Sequence, residues 1–479
     1  MMGNPYPRME MERNSLVKTI RIVAPAAAVL CLAAACAADQ PVEKTAVEKE
    51  NAQLRHRVDK LERELSEVKQ LLRQQLPPPP AGPTTRPVTH ESGSSGRQWL
   101  AMHKQLEADA EARGRQLVWS TLDVQLYGYV KLDGSYDTAR TDVGNYARWV
   151  ESEQVRTNDD QYNMTARQTR LGLKVTGPEV GGAKTSGLLE VDFYGMGDTE
   201  NKPHPRLRHA YMKIDWPDRQ FSILAGQTWD VISPLYPNTL NFIISWWSGN
   251  IGWRRPQIRL TQGVKLADDV DMKLEAALTR AMGHDIGNLD PGDTGEDAGH
   301  PGVQTRVSFT FPFFGPKRTT VGFSGHYAGE EYDMDLADHH RRVCSWSANA
   351  DLTQPVTDWM TVKGEMHTGK NLDNYLGSIG LGVNPATMEE VESCGGWLAA
   401  SLGPWDKWRF NVGAGVEAVN GSDIRAGDRK LNNSVFGNVI YQVNSHAAIG
   451  LEISRWLTRY KNMAKGDSLR IQTSFIYKF

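Results

Sequence analysis

The chain has 479 residues, a formal net charge of -3, a sequence pI near 6.5 and a mean hydropathy of -0.49. This near-neutral balance argues against nucleic acid as a partner, which a basic domain would favour, and no run of 18 apolar residues offers a spanning helix. A transmembrane β-barrel passes both tests, because its strands alternate lipid-facing apolar with lumen-facing polar residues, and 44 glycines and 14 tryptophans suit one.

The chain opens on a targeting pattern. Arg13, Lys18 and Arg21 precede the apolar run Ile22 to Ala35, and Ala35-Cys36-Ala37 offers a small-residue cut, so residues 1–37 are expected to be a signal peptide. Met9 or Met11 as the start gives a more ordinary signal length. Cys36 leaves lipidation as an alternative, although three alanines precede it and the leucine usual at the first of those places is missing. After cleavage only Cys344 and Cys394 remain. In an oxidising compartment they read as either a disulfide or two buried thiols.

Residues 42–76 carry heptads. With Asn51, Val58, Leu65 and Leu72 at a, residues Val47, Leu54, Leu61 and Val68 fall at d. A seam of this length is specific for a coiled coil. In a parallel, in-register assembly the g-to-e pairs are Glu50–Arg55, Arg57–Glu62 and Glu64–Lys69, all of opposite sign. The bland alternative is a single helix with a solvated charged face. Asn51 would fix register at some cost in stability. Arg57-Val58-Asp59-Lys60-Leu61-Glu62 is similar to a short motif of three-stranded coiled coils, which favours a trimer. Pro77 to Pro80 end the helix and stiffen the chain. Residues 77–122 then read as a Pro/Gly/Ser linker with a short helix at 98–118, either resting on the barrel mouth or solvated.

From residue 123 to 479 the period becomes two. Val124, Leu126, Val130 and Leu132 alternate with Gln125, Tyr127, Tyr129, Lys131 and Asp133; Phe410, Val412, Ala414 and Val416 alternate with Arg409, Asn411 and Glu417. A soluble sandwich also alternates. Charge-rich polar faces, spans of about ten residues and alternating short and long connections point instead to a membrane barrel. Tight turns at 177–184, 217–219, 315–318, 355–358, 403–407 and 444–445 are assigned to the periplasm, and long segments 138–161, 282–302, 330–341, 370–393 and 420–432 to the outside. The fold expected is all-β, a barrel of about sixteen antiparallel strands behind an N-terminal α-helical coiled coil. The end Phe475-Ile476-Tyr477-Lys478-Phe479 closes the alternation on an aromatic, as outer-membrane barrels do.

Together these parts resemble the DcaP-like channels, trimeric dicarboxylate porins with a periplasmic coiled coil. The resemblance rests on the heptads and on Gly128-Tyr129-Val130-Lys131-Leu132-Asp133, Ala166-Arg167-Gln168-Thr169-Arg170-Leu171-Gly172, Glu190-Val191-Asp192-Phe193, Arg206-Leu207-Arg208-His209-Ala210-Tyr211, Ala225-Gly226-Gln227-Thr228-Trp229 and Arg254-Arg255-Pro256-Gln257-Ile258-Arg259. After residue 270 only a generic barrel pattern is recognised. The resemblance implies a homotrimer in outer-membrane lipid and passive uptake of small organic anions, with neither enzymatic activity nor a cofactor.

The residues make their own case for anions. Sorting each strand by face gives the lumen cations Lys131, Arg170, Lys174, Arg208, Arg259, Lys265, Lys273, Arg306, Lys363, Arg409 and Arg470, against Asp133, Glu190, Asp192, Glu275, Glu365, Glu417 and Glu452. A basic surplus in a wet pore selects anions, and arginine grips carboxylates with two parallel bonds. The bland reading, that such charges pair with one another, applies to about half of them. The segment 230–253 carries Trp246, Trp247 and Trp253 and is expected to fold inward as the constriction; a contact between protomers or a bilayer belt is the alternative. The acidic loop Asp290, Asp293, Glu296 and Asp297 lacks EF-hand spacing, so no metal site is expected. The competing function is a structural anchor whose trimerising residues Asn51, Leu54, Arg57, Val58, Leu61, Glu62 and Leu65 present a coil to cell wall, such as peptidoglycan, or to a periplasmic partner.

Overall fold

The computed structural model describes residues 122–479 except 156–158, 196–199, 201, 285, 287–292, 315–316 and 334–339. The signal peptide, the coiled coil and all of the linker but residue 122 lie outside the described residues.

The strands in chain order are β1 (Asp123–Asp137), β2 (Gln161–Thr165), β3 (Arg170–Thr176), β4 (Lys184–Gly195), β5 (His204–Trp216), β6 (Phe221–Trp229), β7 (Arg254–Ala267), β8 (Val270–Thr279), β9 (Gly302–Phe311), β10 (Thr319–Asp333), β11 (His340–Pro355), β12 (Met360–Lys370), β13 (Val383–Asn384), β14 (Glu389–Glu390), β15 (Glu392–Trp405), β16 (Trp408–Val419), β17 (Arg429–Gln442), β18 (Ala447–Tyr460) and β19 (Met463–Lys478). Seventeen segments form one antiparallel sheet, while β13 and β14 make a separate small hairpin. Both β2 and β3 pair with β1, on its later and earlier halves, so they are one strand interrupted at 166–169 and the barrel has sixteen staves. The sheet closes on itself through β1 and β19, from Tyr129↔Lys478 to Asp137↔Arg470. Closure leaves no strand edge unpaired, as a lipid environment requires.

The alternation shows why these residues form these staves. On β18 Gly450, Glu452, Ser454, Trp456 and Thr458 face inward and are buried, whereas Ile449, Leu451 and Ile453 face outward and are exposed. Large apolar side chains cover the outer wall all round, with Leu126, Ile258, Phe323, Leu398 and Val435 each exposed. A soluble sheet would invert this arrangement; a hydrocarbon solvent favours it.

The connections differ by end. One rim has tight turns, and to those expected from the sequence it adds 268–269 between β7 and β8. The other carries the long segments 138–160, 230–253, 280–301 and 371–391. Within that half of the barrel an apolar core joins Trp149 and Val150 from the first of these, Phe242, Ile243, Trp246 and Trp247 from the second, Ile379 and Val391 from the fourth, and Trp456 from the wall.

Candidate functional site

The segment 230–253 leaves the wall between β6 and β7 and crosses the lumen. Its backbone amides find acceptors on distant staves: Leu235 N donates to Glu365 Oε1 on β12 at 2.7 Å, and Leu240 N to Glu452 Oε2 on β18 at 2.7 Å. The carbonyl of Leu240 accepts from Lys131 Nζ at 3.0 Å and from Gln472 Nε2 at 2.9 Å. On the return, Asn432 Nδ2 donates to Trp247 O at 2.8 Å. Gly249 has a φ of 112°, and a Cβ there would stand 2.1 Å from Gly396 O, so only glycine lets the loop lie this close to β15. At its base Arg255 Nε and Gln304 Nε2 both reach Asp230 Oδ1, at 2.7 Å each. Trp246 and Trp247 are buried and Trp253 is half-buried, all three packed inside the barrel rather than toward lipid.

The inward cations fall into two groups. Around the middle of the barrel they are matched by carboxylates: Lys131 with Asp133 at 3.2 Å, Arg259 with Glu275 at 3.9 Å, Arg306 with Asp351 at 2.7 Å and Glu275 at 3.2 Å, and Arg470 with Asp137 at 2.8 Å. Toward the tight-turn rim they stand in the open. Lys265 and Lys273 are 57% and 49% exposed beside Asp268 and Glu275. Lys174 and Arg409 are exposed and Lys363 is partly so, and none of these three has an ion-pair partner among the described residues. Pairing thus takes eight of the eleven expected lumen cations, well beyond half.

One mid-barrel cluster keeps a surplus. Arg206 binds Asp192 through two bonds of 3.0 and 2.7 Å, and Arg208 bridges Glu190 at 2.7 Å and Asp192 at 2.9 Å. Arg170 lies 3.5 Å from Glu190. Arg254, almost fully buried, has no hydrogen-bond acceptor on any of its three nitrogens; its guanidinium is held between Trp253 and Trp229, 3.9 and 4.6 Å from the ring centres. Four arginines here meet two carboxylates. Arg206 and Arg254 were missed in sorting the strands. The bulge that sets Val191 against Leu207 and Glu190 against His209 shifts the alternation, and Arg254 begins its strand on the face opposite Arg255. The doublet Arg206-x-Arg208 was the available signal.

Cys344 and Cys394 are not bonded to each other. Of the two alternatives left open by the sequence, the structure has two thiols, Cys394 buried and Cys344 partly exposed. The stave β12 runs between theirs, with Thr368 beside Cys394 and Lys370 beside Trp346, and two strand spacings exceed the reach of a disulfide.

No protein-family description matches the chain, and no curated protein matches it. Among solved structures, the outer membrane channel DcaP of Acinetobacter baumannii is similar with a TM-score of 0.60 and 20% identity, over 75% of this chain and 98% of that one. An anion-selective porin from Comamonas acidovorans matches at a TM-score of 0.46 and 11% identity, over 75% of this chain and 100% of that one. The chain has the porin-type barrel fold of the DcaP channel.

Proposed function

We propose that the chain is an outer-membrane porin for passive diffusion of small hydrophilic solutes, above all organic anions such as dicarboxylates. The observation that carries this reading is the charge of the inner wall. Exposed Lys174, Lys265, Lys273 and Arg409 and partly exposed Lys363 line the tight-turn half, and beyond them stands the arginine surplus of Arg170, Arg206, Arg208 and Arg254. Such a wall concentrates anions and repels cations. In this reading the tight turns face the periplasm and three copies associate through residues 42–76. Deleting that segment weakens the native oligomer; an unchanged mass together with a monomeric isolated peptide removes the support for its role. Conductance of the purified protein in planar bilayers, with reversal potential under a salt gradient, tests the porin. Anion-selective current is expected.

The apolar core formed inside the barrel by the long segments favours a second reading, a structural anchor whose coiled coil binds cell wall or a periplasmic partner. A folded barrel that carries no current selects it.

A further inference from the structure

The outer wall is apolar along its middle but turns charged on two neighbouring staves near the long-segment rim. Outward residues of β18 run Ile449, Leu451, Ile453, Arg455, Leu457, Arg459, and those of β19, from the same rim, Lys465, Asp467, Leu469, Ile471. Arg455 holds Asp467 through two bonds of 3.0 and 2.7 Å, and Lys465 Nζ lies 3.0 Å from the same carboxylate. Arg459 is exposed and has no ion-pair partner among the described residues. Arg455 and Lys465 therefore share one carboxylate, with Arg459 beside Lys465 across the strands, and Arg455 and Lys465 are still 62% and 51% exposed. Elsewhere at this rim outward Arg342 is matched by Glu331 and His340 by Asp333.

The height of the cluster is informative. Tyr477 and Phe475 are exposed aromatics at the opposite end of β19. Ten residues separate Tyr477 from Asp467; at ~3.3 Å per residue and a tilt of ~40° that is ~25 Å, the height of a barrel's apolar band. The cluster thus lies at the upper edge of the band, where lipid headgroups begin. Uncompensated cations inside hydrocarbon are costly, while at this edge phosphate oxygens can accept two parallel bonds from each guanidinium.

We propose that Arg455, Arg459 and Lys465 form a binding site for the phosphate groups of an anionic lipid in the leaflet at the long-segment end. Asp467 holds Arg455 and Lys465 side by side, and the apolar residues below, Ile453, Leu469 and Ile471, receive the acyl chains. The site rests on the membrane-barrel reading but not on conductance, so bilayer current and lipid retention report separately.

The test is native mass spectrometry of the detergent-solubilised protein titrated with a bis-phosphorylated, acylated glucosamine disaccharide, beside its dephosphorylated form. The variant Arg455→Gln/Arg459→Gln/Lys465→Gln binds the phosphorylated lipid at least about tenfold more weakly, and the dephosphorylated lipid binds both proteins equally weakly. Arg459→Gln alone, which orphans no carboxylate, gives a smaller loss in the same direction, and Arg342→Gln gives none. Equal retention of the phosphorylated lipid by all variants overturns the site. So does displacement of the lipid by millimolar inorganic phosphate, which would mark a free-anion site. Loss of the oligomer with unchanged lipid adducts also overturns it and assigns the patch to contact between copies.

Discussion

The backbone amide of Leu240, halfway along the segment that crosses the lumen, donates to the carboxylate of Glu452 on the facing wall at 2.7 Å. Glu452 also accepts from Thr239 Oγ1 at 2.7 and 2.9 Å and from Asn438 Nδ2 at 2.9 Å, and it is almost fully buried. One wall carboxylate thus fixes the crossing segment. Glu452→Ala removes the acceptor and leaves buried donors unmatched, a cost of about 3 kcal/mol. A lower melting temperature and enlarged, fluctuating single-channel current are expected. An unaltered melt with unaltered current would show that the segment is held without this contact.

Arg208 and Arg409 both face the lumen, yet their substitution should differ in kind. Arg208 is buried between Glu190 and Asp192, so Arg208→Ala leaves charges unpaired and destabilises the barrel by about 3–5 kcal/mol. Lys174, Lys363 and Arg409 have no ion-pair partner among the described residues. Lys174→Glu/Lys363→Glu/Arg409→Glu should therefore leave the melt almost unchanged while moving the reversal potential toward cation passage. Charge reversal at Arg170 or Arg259, each paired, shifts it in the same direction with some loss of stability. If the triple variant keeps its anion preference, the tight-turn half does not set selectivity.

The barrel was legible because its code is local: each stave declares its two faces by alternation, as in Ile449 to Thr458. The inward turn of 230–253 was legible from its tryptophans, since so apolar a segment is costly in water. Its anchorage was not. Glu365 and Glu452 read as pore charges, but their partners are backbone amides of Leu235 and Leu240, and an amide leaves no mark in a sequence. The extent of ion pairing was hidden for a similar reason, because Arg306 and Asp351 meet only through the closure of β9, β10 and β11. Arg254 was lost to strand-end geometry.

The two thiols give a direct chemical check. Cys344 lies 3.2 Å from the Tyr327 hydroxyl, and Cys394 sits two staves away. Denaturing the mature protein without reductant and alkylating it should label both positions, seen by peptide mass spectrometry. A cross-linked peptide pair would contradict the strand order between β11 and β15.

The last expectation concerns two long segments at one rim. His284 Nδ1, on 280–301, lies 2.7 Å from Asp373 Oδ2, on 371–391. His284 borders a cavity of about 190 Å³ lined also by Leu381, Asn384 and Arg425. The hydrogen bond to Asp373 is the largest influence on the imidazole and, against the opposing effect of burial, raises its pKa from 6.5 to about 9. A group whose pKa is higher in the folded than in the unfolded chain stabilises the fold fully below the unfolded value, and the contribution is lost as pH rises through the folded one. The tie between the segments is therefore complete below pH ~6.5, mostly retained at neutrality and gone by about pH 10. His284 is half-exposed, so solvent screening keeps the effect small. The melting temperature of the wild type should exceed that of His284→Ala at pH 6, and the gap should close between pH 8 and pH 10. A gap that persists unchanged at pH 10 would trace the stabilisation to packing of the imidazole rather than to its charge.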